Sequence, residues 1–143
     1  SSAAPSRLVQ SVVGDGYGPE HVNVMDQLHD PDSLLSWIRG LIKIRHACPE
    51  LGWGELTILE HDGPHAVLAH RLELETTAII ALHNLGADPV TVTVPVEGFG
   101  EDPRVVDLLT HEVLDPATRL SSSLEGYGVR WLRVRPAGDL TVP

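Results

Sequence analysis

Histidines and carboxylates are where chemistry could reside in this 143-residue chain, which holds eight His and 20 Asp plus Glu. His61, His65 and His70 lie closest together, but they fall across one turn and two extended segments. None forms the i, i+4 pair with an intervening Glu that a zinc-binding helix uses, and there is no C-x-x-C and no EF-hand loop. The spacing predicts exposed or hydrogen-bonded histidines, no metal site and no cofactor. Ser121-Ser122-Ser123 has no G-x-S-x-G frame and no nearby His with an orienting acid, which argues against a nucleophilic serine. Gly14-x-Gly16-x-Gly18 follows no strand–helix unit, so it is not a phosphate loop. Glycosidases work with two carboxylates, yet no spacing here singles out an acid and a nucleophile. The residues themselves nominate no catalytic group.

The aromatic side chains are the other candidates, since a flat ring can stack on a sugar. Trp37 sits in an amphipathic segment and Trp131 in a strand, where core packing explains each. Trp53, between Gly52 and Gly54, has no such explanation, and Tyr127 stands at the start of an extended segment. Cys48, beside Pro49, reads as a buried packing residue. His83-Asn84, at the end of an apolar run, is placed to close a turn through side-chain bonds to the backbone.

These residues are carried by two different patterns. Residues 1–29 show no helical period, only short apolar pairs (Leu8-Val9, Val12-Val13) and a Gly-rich loop ending at Pro19. Asp30-Pro31-Asp32-Ser33 is a helix-start signal: Asp30 can cap, Pro31 suits the first helical position, and Asp32 faces the positive end of the helix dipole. Leu34, Leu35, Ile38, Leu41 and Ile42 then recur with a period near 3.6, predicting a helix from Ser33 to Ala47. Gly40 weakens its middle, and close packing against a neighbour would account for it. Pro49 ends the element.

From Gly52 the period becomes two. Strands are predicted around Leu56–Ile58, Ala66–Leu72, Thr76–His83, Val90–Val94, Val105–Leu109, Arg119–Ser123 and Tyr127–Arg135, separated by Gly, Pro and Asp turns. Seven short strands at this spacing describe an antiparallel β-sandwich. The chain is thus expected to be mainly β, preceded by one amphipathic helix and an irregular segment.

Composition narrows the partners. The net charge of −10 with only ten Lys plus Arg argues against nucleic acid, whose phosphates need clustered cations. No apolar run reaches the ~18–20 residues of a membrane span. A lone cysteine fits a reducing, cytoplasmic setting.

One stretch is more specific than any of this. Val22-Asn23-Val24-x-x-Gln27-x-x-Asp30-Pro31-Asp32-Ser33-Leu34-Leu35-x-Trp37 resembles the α-amylase superfamily, most closely its trehalose synthase-like members. In that family the motif leads into the last helix of the catalytic (β/α)8 barrel. The flanks are similar too: Ala4 to Val13, Arg45-x-x-x-Pro49-Glu50-Leu51-Gly52-Trp53-Gly54, Ala81-Leu82-His83-Asn84-Leu85 and Tyr127 to Arg133. The last two resemble strands of the C-terminal β-sandwich called domain C.

The resemblance implies residues 1–51 as the end of a barrel and 52–143 as domain C. It also implies a parent enzyme that hydrolyses or rearranges α-glucosidic bonds by the retaining two-carboxylate mechanism, for example maltose to trehalose. The family's three catalytic carboxylates lie on earlier barrel strands, so none is carried here. Tyr17, His21, Asn23 and Trp53 are the expected substrate-facing residues. Pro19 departs from the pattern, standing where relatives carry an aromatic, and no role is transferred to it. The expected partner is the catalytic barrel of the same polypeptide, with an α-glucoside as ligand. Two other readings are a stand-alone carbohydrate-binding sandwich using Trp53 or Tyr127, and a module dimerising through the exposed face of the helix.

Overall fold

The structure, a computed structural model, describes residues 16–18, 21–100, 102–114 and 118–137. Residues Ala4 to Val13 and Pro19, singled out above, lie outside the described residues. The chain divides into two compact units, residues 1–46 and 47–143.

The first unit holds a short helix that the sequence pattern does not reveal, α1 (Val24–His29). Asn23 starts it, its Oδ1 accepting from the Asp26 backbone N–H at 3.0 Å. Six residues make less than two turns, too few to show a 3.6-residue period. This helix moves the start of the next. Asp30 is the C-cap of α1, and its side chain accepts from Asp32 N–H at 2.9 Å. The residue that begins α2 (Leu34–Ala47) is therefore Ser33, not Asp30. Its carbonyl accepts from Trp37 N–H at 3.0 Å and its Oγ from Ser36 N–H at 3.2 Å. Pro31 lies in the connecting turn rather than in the helix.

The predicted apolar period of α2 is present, but no residue of that helix is buried. Leu34, Trp37 and Ile42 are each at least half exposed, so the core role expected for Trp37 is not found. Nor does Gly40 mark a close approach, because a Cβ there would meet nothing within 4 Å.

The second unit begins with buried Cys48, as expected, and a one-turn helix α3 (Glu50–Trp53). Eight strands follow among the described residues: β1 (Glu55–Ile58), β2 (Val67–Leu74), β3 (Thr77–Asn84), β4 (Val90–Pro95), β5 (Arg104–Asp107), β6 (Val113–Leu114), β7 (Arg119–Leu124) and β8 (Val129–Arg135). β6, only two residues long, escapes the sequence pattern. The strands form a six-stranded sheet, β1-β2-β3-β8-β5-β6, and a two-stranded sheet, β4-β7. Every pairing is antiparallel.

Alternation explains the layering. β7 buries every second residue, and β4 buries Val92 and Val94 while turning Thr91 and Thr93 outward. Facing them are Ala78, Ile80 and Leu82 of β3, Leu132 and Val134 of β8, and Val105 of β5. β3 lies between β2 and β8, and Ile79 on its other face is as fully buried as Ile80. That is why it reads as a continuous apolar run.

Candidate functional surfaces

Buried charge is the first place to look for catalysis, and each buried carboxylate among the described residues is engaged. Asp107, 0% exposed, accepts from Leu109 N–H at 2.8 Å and Thr110 N–H at 3.2 Å through Oδ1. Its Oδ2 accepts from Arg130 Nε at 2.6 Å. Arg130 also meets Glu112 at 2.5 Å and donates to Ser122 Oγ of β7 at 3.3 Å, so this network links the two sheets. Burial pulls the Arg130 pKa down, but its bonds to Asp107 and Glu112 outweigh that and hold it above the ordinary value. Glu50, also 0% exposed, accepts from Arg133 at 2.8 and 3.1 Å and from Thr77 Oγ1 at 2.8 Å. Carboxylates held this way brace the fold; neither is placed to exchange a proton with a substrate.

The expected substrate-facing residues fall in both units. Tyr17 is 70% exposed in a turn where Gly18 C=O accepts from His21 and Val22 N–H, both at 2.8 Å. His21 is exposed. Asn23 is committed to capping α1. Trp53 is 84% exposed at the end of α3 in the second unit. Among the described residues no group of three His, Cys, Asp or Glu is arranged to hold a metal, and no helix is long and apolar enough to cross a membrane. A polar cavity of 370 Å³ at the β1 edge is lined by Glu55, Thr57, Arg71, Glu73 and Glu75, with Arg71 paired to Glu73 at 3.0 Å.

Register exposes a feature that the sequence reading missed. On the six-stranded sheet, the face away from the core carries a row spanning all six strands: Leu56, Leu72, Ile79, Arg133, Val106 and Val113. The next row is Ile58, His70, Ala81 and Trp131, followed by Leu68, His83 and Val129. Trp131 therefore packs on this outer face, half-buried, and not in the core between the sheets. Leu56, Ile58 and Val113 are each about 60% exposed. The only charge in these rows, Arg133, is neutralised by Glu50. His70 and His83 stack, with ring centroids 5.5 Å apart and planes 3° from parallel. Burial lowers both pKa values, and the His70 charge lowers that of His83 further. These three rows are thus mainly apolar, and Arg104 and Arg135, paired in the row beyond Arg133, border them on the same face.

The signal was present in the sequence as apolar residues at both odd and even positions of β2 and β8, and as Leu56 and Ile58 in β1. One such strand reads as central; only the register shows that they join into one surface.

Tyr127 also departs from expectation. It precedes β8 rather than opening it, 74% exposed, with φ +58. A non-glycine residue in this left-handed region carries strain of about 1–2 kcal/mol. Trp53 and Tyr127 are not neighbours: Gly54 abuts Glu73 at one end of β2, while the Tyr127 turn meets Gly86, beyond the other end. Six residues of strand separate these ends by roughly 20 Å.

Comparison with known proteins gives a consistent set of likenesses. Residues 77–133 match the family model for the C-terminal domain of sucrose hydrolase-like proteins. The chain is 32% identical over 142 residues to a trehalose synthase of Pimelobacter sp. (strain R48), covering 94% of this chain and 24% of that protein. It therefore spans about a quarter of this curated relative. Among solved structures, trehalulose synthase MutB from Pseudomonas mesoacidophila superposes with TM-score 0.64 at 22% identity, over 87% of this chain and 22% of that one. A variant of AmyP in complex with maltotriose superposes with TM-score 0.60 at 25% identity, over 71% of this chain and 20% of that one.

Proposed function

We propose, for a chain that resembles the C-terminal part of trehalose synthase-like members of the α-amylase superfamily, a non-catalytic role: its sandwich covers apolar surface of a catalytic barrel in the same polypeptide. In this reading residues 1–51 belong to the end of that barrel and residues 52–143 form domain C. The parent acts on α-glucosidic bonds, by hydrolysis or by isomerising maltose to trehalose, in the cytoplasm. Tyr17 and His21 are its substrate-facing contribution from this chain.

The observation that carries the proposal is the outer face of the six-stranded sheet. Its exposed part lies at the β1–β2 end, where Leu56, Ile58 and Leu68 stand out while Ile79 and Ala81 of the central strand are buried, and an exposed apolar cluster of this kind marks a contact surface. In the three rows running from Leu56 to Val129 the Arg133 charge is met by Glu50, which suits a neighbour that is itself mainly apolar, with Arg104 and Arg135 at their border. The unburied apolar side of α2 supports the same reading from the first unit.

The test is to produce the barrel encoded upstream in the same reading frame and titrate it with this chain by calorimetry. One-to-one binding is expected, weakened at least about tenfold by Leu56→Asp with Ile58→Asp, which places two charges in a desolvated contact. Concentration-dependent dimerisation of the chain with no affinity for the barrel would point instead to a second copy. Turnover of maltose by the chain alone would overturn the non-catalytic assignment.

A further inference from the structure

Most strand edges of the sandwich are blunted. β6 ends the large sheet with only two residues. On β4, Thr93 N–H faces away from β7 and donates to Asp62 Oδ1 at 2.7 Å. β7 opens on exposed Arg119 and turns Ser121 and Ser123 to solvent. Short length, a capped donor and a flanking cation each keep an edge from pairing. β1 differs. It forms the other end of the large sheet, with no outer neighbour among the described residues. All four of its residues are exposed, its register with β2 is unbroken by any bulge, and it holds no proline or lysine.

Register fixes what this edge presents. Leu59 N–H donates to Ala69 C=O at 2.9 Å, and bonded pairs in an antiparallel ladder recur at every second residue. Thr57 and Glu55 therefore bond inward, to Arg71 and Glu73. The N–H and C=O groups of Leu56 and Ile58 point outward, away from β2. Consider a second β1 laid antiparallel, with Thr57 opposite Thr57. Leu56 then exchanges two hydrogen bonds with Ile58 of the second copy, and Ile58 exchanges two with its Leu56, so every outward group is paired. Apolar side chains meet apolar ones, and the row of Leu56, Leu72 and Ile79 continues across the axis. Glu55 falls opposite Leu59 and Glu60 opposite Gly54, so no like charges oppose each other. Neighbouring registers fit less well. Centred on Leu56, the pair would need the Gly54 N–H, which is already engaged by Glu50 C=O at 2.9 Å. Centred on Ile58, it would set Leu56 against Glu60.

We infer that β1 is a self-association edge: two copies of this chain pair β1 to β1 about a two-fold axis at Thr57, joining their six-stranded sheets into one continuous sheet. The occupant is a second copy because the strand complements itself in this register, in its backbone groups, its apolar side chains and the placing of its charges. The pairing lies in the plane of the sheet and leaves the outer face open, so it does not rest on the barrel docking proposed above.

Sedimentation equilibrium of the chain should show monomer and dimer in exchange, with Kd on the order of 100 μM for so small an interface. Ile58→Pro removes an outward donor from each copy, at a position where an edge strand tolerates proline, and should raise Kd at least about tenfold. Thr57→Cys tests the register without weakening the contact. The non-bonded pair on the axis brings its two Cα atoms to about 4.5 Å, within reach of a disulfide. With diamide as oxidant this variant should become a covalent dimer. Glu55→Cys, whose two copies stand roughly 13 Å apart along the strands, should not. A chain that stays monomeric at about 1 mM, tenfold above the expected Kd, would overturn the inference. So would association that survives Ile58→Pro, or cross-linking of Glu55→Cys as fast as that of Thr57→Cys. A chain that dimerises through β1 but fails to bind the barrel removes the docking proposal alone; one that binds the barrel and remains a monomer removes this inference alone.

Discussion

Replacing Glu50 by Gln tests whether the second unit depends on a single buried ion pair. Glu50 and Arg133 are 0% and 8% exposed, and the carboxylate takes two bonds from the guanidinium and one from Thr77. Glu50→Gln keeps the shape but leaves the Arg133 charge buried without a counter-charge. Breaking a buried pair from one side costs about 3–5 kcal/mol. Gln retains an acceptor oxygen, so the lower end applies, about 3 kcal/mol. For a domain of roughly 100 residues that lowers Tm by about 12–24 °C. Arg133→Met strands the opposite charge and should cost as much or more. The double variant Glu50→Met with Arg133→Met removes both desolvation penalties and should fall within about 1 kcal/mol of the parent chain, because apolar replacements of whole pairs are often neutral. Urea unfolding followed by far-UV circular dichroism measures all three and Glu50→Met, the single that completes the cycle from which the coupling is taken. A Glu50→Gln cost below about 1 kcal/mol, or singles that simply add in the double, would show that the pair is incidental and refute the reasoning.

Other outcomes follow from the same physics. Asn84→Ala strips Asp88 C=O and Gly86 N–H in the β3–β4 loop of their side-chain partner and removes the tie to Glu125 C=O in the β7–β8 turn, and should cost about 2–3 kcal/mol in urea unfolding. His70 and His83 have pKa values below the ordinary 6.5, so between 6.5 and those values the unfolded chain binds more protons. Stability should accordingly fall as pH drops below about 6.5 and level off once both are charged, and His70→Gln with His83→Gln should flatten that slope. Cys48, whose thiol pKa is raised chiefly by burial, should react with a thiol reagent only at the rate of unfolding in native buffer.

The legible part of this molecule is the part governed by period. Seven of eight strands and the long helix announce themselves because alternation and the 3.6-residue repeat are properties of consecutive residues. β6 is too short to have a period, and so is α1. Missing α1 also misassigned the cap: Asp30, Pro31 and Asp32 are good starting residues for α2, but an unseen helix running to His29 claims Asp30 as its own end. Trp131 was read as core because an aromatic in a strand usually is. Its actual side of the sheet follows from pairing with Ala81, a fact about two distant segments. The candidate sites divide the same way. Exposed Trp53 stood out by its glycine neighbours, whereas Tyr127 becomes distinctive only through a backbone angle set by contacts with residues 84–87.

Strand order has a consequence for how the chain must be made. β8, the last strand of the described sequence, is not at an edge; it lies between β3 and β5 and pairs with both. During vectorial synthesis, β1, β2 and β3 can form a hairpin series as they emerge, and β5 can pair with β6. The two groups remain separate ribbons with open edges until residues 129–135 arrive to join them. The six-stranded sheet therefore closes in one late, long-range step, which slows folding and leaves two adhesive edges exposed meanwhile. A ribosome stalled before Val129, or a stop codon there, would release a chain holding most of its core residues and lacking the strand that unites them. Such a chain is expected to aggregate rather than to yield a smaller sandwich.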